Sequence, residues 1–263
     1  MKIKDLQSGS NGNACLIMTP GTRILIDAGI PVTQLRAALK EAGCPAETLS
    51  AVLLTHEHRD HTAAAVSLMK KEKIPILATE GTFVGLTDLP AALRAGLNGA
   101  LIRPGDTVRI NDCQITAFAL PHDSIDPVGY SIFDGEKRFT LATDLGGMTE
   151  EIYGFLQKSQ GILLESNFDE DMLRLGPYPY PLKRRILGPL GHLSNLTAGQ
   201  TAAKLLREDP DKLIIFGHMS ETNNDPRLVL DAAFSELAAA GLDPLTLRLE
   251  MASRTEATGV FEL

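Results

Sequence analysis

Leu49-Ser50-Ala51-Val52-Leu53-Leu54-Thr55-His56-Glu57-His58-Arg59-Asp60-His61 is an apolar run that breaks abruptly into imidazoles and acids. Three of the six histidines of the chain fall between positions 56 and 61. Imidazole nitrogen and carboxylate oxygen are the donors that borderline and hard divalent cations take, and the lack of thiolates speaks against a closed structural zinc site. An open, catalytic metal site at the end of a buried strand is the reading that follows. In an extended segment residues i and i+2 point the same way, so His56 and His58 can grip one ion together. Asp60 and His61 fall where the chain should turn into a helix beginning near Thr62 and running through Met69. Side chains at such a turn diverge from the first pair, which suits them to a second ion close by.

Outward from this string, further candidates stand at predicted strand ends. Leu120-Pro121-His122-Asp123 follows Gln114–Ala119, Ala142-Thr143-Asp144 follows Lys137–Leu141, and Phe216-Gly217-His218 follows Lys212–Ile215. The string and these later residues, in this order, resemble the H-x-H-x-D-H signature and the remaining ligands of the metallo-β-lactamase-fold hydrolases, over nearly the full length. The resemblance implies a four-layer αββα sandwich of the α/β (α+β) class. It also implies two divalent ions, zinc or manganese, with iron as a further option. By the same carry-over His56, His58 and His122 would hold the first metal, Asp60, His61 and His218 the second, and Asp144 would bridge them. Asp60 would also orient the attacking hydroxide.

Composition agrees with one catalytic domain over residues 1–263, because a chain with 44% hydrophobic residues can bury a sizeable core. Cys15, Cys44 and Cys113 lie far apart and form no C-x-x-C pair, so neither a disulfide framework nor a thiolate site is expected. They read as small buried residues in a reducing cytoplasm. The N-terminal Met1–Leu6 alternates like a strand and lacks the apolar segment of a signal peptide, and no apolar run is long enough to span a membrane. Strands are expected at Ala14–Met18, Arg23–Asp27, Ala51–Leu54 and Pro75–Ala78. A helix is expected over Pro31–Ala42, with Pro at its first turn and Gly43 just past its end. Residues 107 to 142 read as three strand-like runs. Thr149-Glu150-Glu151 opens a helix with acids in its first turn, and strands and helices alternate from there to about residue 251.

Substrate has to be read from other residues, since one fold hosts many chemistries. His192, in Gly191-His192-Leu193-Ser194-Asn195, is not needed for the metals. Glu165 ends the apolar strand Gly161–Glu165. The two are similar to the acid and histidine of the nuclease branches, in which the acid orients a histidine that contacts the scissile phosphate. A carboxylate on one imidazole nitrogen raises the pKa of the ring and frees the other nitrogen to donate to an oxygen. Ser8-Gly9-Ser10-Asn11-Gly12-Asn13, Gly191–Asn195 and His218-Met219-Ser220-Glu221-Thr222-Asn223-Asn224 resemble the YycJ/WalJ-type branch, which implies exonuclease activity on DNA. Asn11 replaces a serine of that branch's usual opening, and Met219 the leucine of its usual H-L-S. The Ser8–Asn13 loop, with Ser8, Asn11 and Asn13, can be read as a nest of amides for a phosphate or as a plain hairpin turn. Ser194, Asn195, Asn223 and Asn224 are further substrate-side candidates, although Asn223 and Asn224 could equally serve the helix start at Asp225-Pro226.

A net charge of −8 and a pI near 5.3 exclude a broad basic face for wrapping duplex. Lys183, Arg184 and Arg185, after Tyr178 and Tyr180, form the densest basic patch and could hold phosphates while a base stacks. Taken together, the residues point to a dinuclear metal-dependent phosphodiesterase, a DNA exonuclease with nucleic acid as partner and no membrane contact. The alternatives are a small-molecule hydrolase of cyclic phosphodiesters or thioesters, and a catalytically silent metal-binding regulatory protein.

Overall fold

A computed structural model describes residues 1–86 and 99–263. In chain order its strands are β1 (Lys2–Gln7), β2 (Ala14–Met18), β3 (Arg23–Ile26), β4 (Ala51–Leu53), β5 (Ile76–Ala78), β6 (Gly99–Leu101), β7 (Thr107–Ile110), β8 (Cys113–Ala119), β9 (Val128–Phe133), β10 (Arg138–Ala142), β11 (Gly161–Glu165), β12 (Leu213–Gly217), β13 (Arg248–Met251) and β14 (Phe261–Glu262). The helices are α1 (Val32–Glu41), α2 (Arg59–Thr62), α3 (Ala65–Glu72), α4 (Glu80–Gly85), α5 (Glu150–Gln157), α6 (Glu170–Leu175), α7 (Tyr180–Ile186), α8 (Asn195–Glu208) and α9 (Pro226–Ala239). The strands make two mixed seven-stranded sheets flanked by helices. No helix among the described residues is long and apolar enough to cross a membrane.

The chain divides into two compact units. The first comprises Met1–Ala119, Ser124–Lys137 and Ser253–Leu263. Its sheet runs β14-β1-β2-β3-β4-β5-β6. Strands β1, β2 and β3 are antiparallel, and β3 through β6 are parallel. Leu16, Leu25 and Val52 on one face of this sheet meet Leu35 and Leu39 of α1 and Leu68 and Met69 of α3 in one buried cluster. Each fully buried leucine there contributes about 1.5–3 kcal/mol. Antiparallel β7, β8 and β9 belong to the same unit, so residues 107–142 hold four strands rather than three.

The metal motif also folds differently from its expectation. The helix starts at Arg59 and breaks before Ala65. The break has a local cause: the Ala64 N–H bonds the Ala28 carbonyl at 2.8 Å, and the Ala28 N–H takes the His61 carbonyl at 2.8 Å. The segment after β3 thus captures backbone groups that a continuous helix would have used.

The second unit comprises Leu120–Asp123 and Arg138–Ala252. Its strands β10, β11, β12 and β13 are all parallel, with Leu163 opposite Leu141 on one side and Ile215 on the other. Strands β11 and β12 are buried along their whole length, as expected where helices cover a parallel sheet. Cys15, Cys44 and Cys113 are free and buried.

Candidate metal centre

In the first unit the site begins where β3 and β4 end. Asp27 turns the chain out of β3 with a left-handed φ of 61°. Its carboxylate accepts the Thr55 N–H at 2.9 Å and lies 2.8 Å from His61 Nδ1. Because an ionised carboxylate only accepts, His61 donates through Nδ1 and keeps its lone pair on Nε2. The Thr55 hydroxyl donates to Asp27 Oδ2 at 3.0 Å, so it accepts from His56 Nδ1, also at 3.0 Å. His56 therefore presents Nε2 as well, and this nitrogen faces His58 Nδ1 at 3.0 Å. Two imidazole nitrogens at that separation suit one shared cation. Asp60 Oδ2 lies 3.5 Å from His61 Nε2 and adds a hard oxygen donor beside it. Metal-binding histidines characteristically fix the non-ligating nitrogen on a carboxylate, carbonyl or hydroxyl. The donor set and its orientation thus fit divalent metal.

Two residues brace this motif. A Cβ on Gly29 would come within 1.5 Å of the Asp60 carbonyl oxygen, so only glycine lets the segment after Asp27 lie against it. The Asn13 N–H bonds the same carbonyl at 2.8 Å, and Asn13 Nδ2 sits 3.0 Å from His61 Nε2. Four of the six backbone N–H groups of the Ser8–Asn13 loop have partners within the first unit. Those of Ser8, Gly9, Gly12 and Asn13 go to Ser253, Asn13, Gly9 and Asp60. Ser8 is buried and Asn11 is exposed on the loop.

In the second unit Asp144, Glu165, His192 and His218 offer ligand atoms that all lie within 4.8 Å of one another. Asp144 and His218 follow β10 and β12 with left-handed φ values of 61° and 54°, and Glu165 ends β11 between them. Glu165 is fully buried and accepts four bonds. Its Oε1 lies 2.8 Å from His192 Nδ1 and 2.7 Å from His218 Nδ1, and its Oε2 takes the Leu145 and Leu193 N–H groups at 3.0 Å. Burial alone would raise this carboxyl and lower the imidazoles, but the mutual attraction prevails. Glu165 is held below the usual carboxylate range, while His192 and His218 are raised.

His218 then presents Nε2, 3.3 Å from Asp144 Oδ2. His122 donates Nδ1 to the Gly191 carbonyl at 3.1 Å and turns Nε2 to within 3.6 Å of Asp144 Oδ1. Burial lowers the His122 pKa, favouring the neutral form that binds metal. Gly191 is there because a Cβ would meet the Ile186 carbonyl at 2.1 Å. Unlike His122 and His218, whose side chains are 2% exposed, the His192 ring is 21% exposed.

The expected substrate-side residues separate by burial. Ser194 caps α8 by accepting the Thr197 N–H at 3.2 Å. Asn195 and Asn224 exchange bonds at 2.8 and 2.9 Å, and Asn224 reaches the Ser166 carbonyl at 2.8 Å. Asn223 bonds Ser220 through its N–H at 3.1 Å. All three asparagines are buried and hold loops together. In α7, Lys183 Nζ bonds the carbonyls of Arg174 and Gly176, and Arg185 grips Asp123 with two nitrogens, so of the basic patch Arg184 alone points outward with no bonding partner among the described residues. Tyr178 packs on Phe168, Leu173 and Ile186, whereas Tyr180 is exposed. Asp27, Thr55 and the Gly191 carbonyl escaped the sequence reading. The one available signal was an acid directly after an apolar strand in Ile26-Asp27-Ala28-Gly29.

Comparison with known proteins places this arrangement. A profile described as "Beta-lactamase superfamily domain" matches residues 22–219. The chain is 32% identical over 242 residues to "Exodeoxyribonuclease WalJ" of Streptococcus pneumoniae, covering 92% of this chain and 90% of that one. It is 32% identical over 219 residues to "Exodeoxyribonuclease YycJ" of Bacillus anthracis, covering 83% and 82%. Among solved structures, the metallo-β-lactamase fold protein YhfI from Bacillus subtilis matches with a TM-score of 0.70 at 18% identity, over 100% of this chain and 99% of the other. The chain therefore belongs to the metallo-β-lactamase superfamily of metal-dependent hydrolases, in its WalJ/YycJ-type branch.

Proposed function

We propose that the protein is a cytoplasmic dinuclear phosphodiesterase that shortens DNA from an end. His56, His58 and His122 would hold one ion and Asp60, His61 and His218 the other, with Asp144 bridging. The orientation of the ring nitrogens in each unit supports this ligand set. Zinc suits the histidines, and the mixed oxygen and nitrogen donors also admit manganese or iron. When bound, such ions lower the pKa of water to supply a hydroxide near neutral pH and offset charge on a phosphoryl group. The chain's own contribution lies in orientation and proton handling. Asp60 accepts a hydrogen bond from the nucleophile and aims it. His192, held by Glu165 on Nδ1, keeps Nε2–H for the leaving oxygen.

The observation that carries the reading is His192: a partly exposed, carboxylate-oriented imidazole in the Asp144–Glu165–His218 cluster that the proposed ligand set does not use. The polymer preference rests on the two exodeoxyribonuclease relatives. End-labelled single- and double-stranded DNA and RNA, incubated with manganese, zinc or magnesium, provide the test. Stepwise shortening of DNA ahead of RNA is expected. Efficient thioester hydrolysis with every nucleic acid left intact would replace this reading with a small-molecule hydrolase.

A further inference from the structure

Asp123 stands beside the proposed ligand His122. Its Oδ1 lies 3.5 Å from His122 Nε2, the nitrogen that also sees Asp144 Oδ1 at 3.6 Å. By distance alone either carboxylate has a cation held by that nitrogen within reach. They differ in restraint. Asp144 is 4% exposed and fixed by its backbone at the end of β10. Asp123 is 27% exposed, and Arg185 takes both its oxygens, Oδ2 through Nε and Oδ1 through Nη2 at 3.0 Å. A bidentate guanidinium fixes a carboxylate in plane and direction. The helix end that carries Arg185 is tied down, because the His192 N–H bonds the carbonyl of the next residue, Ile186, at 3.1 Å.

We propose that Arg185 is a positioning residue that holds Asp123 out of the metal coordination sphere. Catalytic metal sites keep a position open for water or substrate. A carboxylate this close to His122 Nε2 would fill that position if it were released. Arg185 thereby keeps the proposed site reactive without touching substrate. The inference rests on His122 being a metal ligand, as proposed above.

The test uses full-length Arg185→Ala, Arg185→Lys, Asp123→Asn and the double variant Arg185→Ala/Asp123→Asn. Manganese and zinc affinities are measured by chelator competition, and turnover is followed on bis(4-nitrophenyl) phosphate. Outer-sphere partners typically change affinity or activity 10–100-fold, so Arg185→Ala should bind metal about tenfold more tightly and turn over about tenfold more slowly. The double variant should return both values to within about threefold of wild type, since the freed acid is gone. Arg185→Lys, a point charge without the fork, should fall between. Asp123→Asn alone should stay near wild type. Weaker metal binding in Arg185→Ala, or a double variant no better than the single, would overturn the proposal. So would unchanged metal affinity with an equal rise in KM for DNA in both, which would make Arg185 a phosphate contact. Wild-type protein that retains no ion would instead overturn the metal reading beneath it.

Discussion

Glu165 shows how much one buried side chain carries. One oxygen serves two imidazoles and the other two backbone N–H groups, so the acid that orients His192 also orients His218. The two substitutions at this pair should therefore behave differently. His192→Ala removes a positioned acid and should lower turnover by on the order of 10²–10⁴ while the metal content stays intact. Glu165→Gln keeps one accepting oxygen but replaces the other with an NH₂ group, which cannot accept from either of its two donors. Leaving buried donors unpaired costs about 1–3 kcal/mol each, and His218 loses its orientation. This variant should lose metal, about 10–100-fold in affinity, as well as rate. Metal analysis after dialysis, set beside turnover, decides the matter. A fully metallated Glu165→Gln with a small rate loss would mean that His218 does not depend on it.

At the scale of elements, α7 marks the boundary of what sequence could say. Lys183, Arg184 and Arg185 are adjacent in sequence, but successive helical residues point about 100° apart. The patch therefore separates into three roles: Lys183 closes the carbonyls at the end of α6, Arg185 grips Asp123, and Arg184 faces outward with Tyr180 one turn before it. Composition shows the cations but not the partners that use them. Arg184→Ala should weaken DNA binding and reduce its salt slope by about one. Lys183→Ala should leave DNA affinity alone and cost about 1 kcal/mol of stability. Fluorescence anisotropy across a salt series, with urea unfolding of the same variants, separates the two. Equal loss of affinity from both would restore the undivided patch.

Across the whole molecule, what was legible is what local chemistry dictates. The seven proposed ligands could be named because His56–His61 resembles the family signature and His122, Asp144 and His218 match its remaining ligands at the ends of apolar runs, and α1 because Pro31 and Gly43 bracket it. Asp27 was hidden because its role depends on a partner at position 61, and β14 because a two-residue strand exists only by pairing with β1. One regularity appears only in three dimensions. Parallel strands β3, β10 and β12 are each followed by a non-glycine residue in the left-handed region, namely Asp27, Asp144 and His218. Such conformations cost about 1–3 kcal/mol each and persist at functional sites where surroundings enforce them. Bound cations would offset that cost and the repulsion among gathered acids. An ion at 100 times its Kd stabilises by about 2.7 kcal/mol, and for a chain of this size each kcal/mol moves Tm by roughly 2–4 °C. Stripping two ions with a chelator should therefore lower Tm by roughly 10–20 °C, and zinc or manganese should restore it. His56→Ala should show a smaller chelator response than wild type. If metal analysis confirms complete removal while Tm does not move, the ions do not hold these strand ends, and the ligand assignment fails with them.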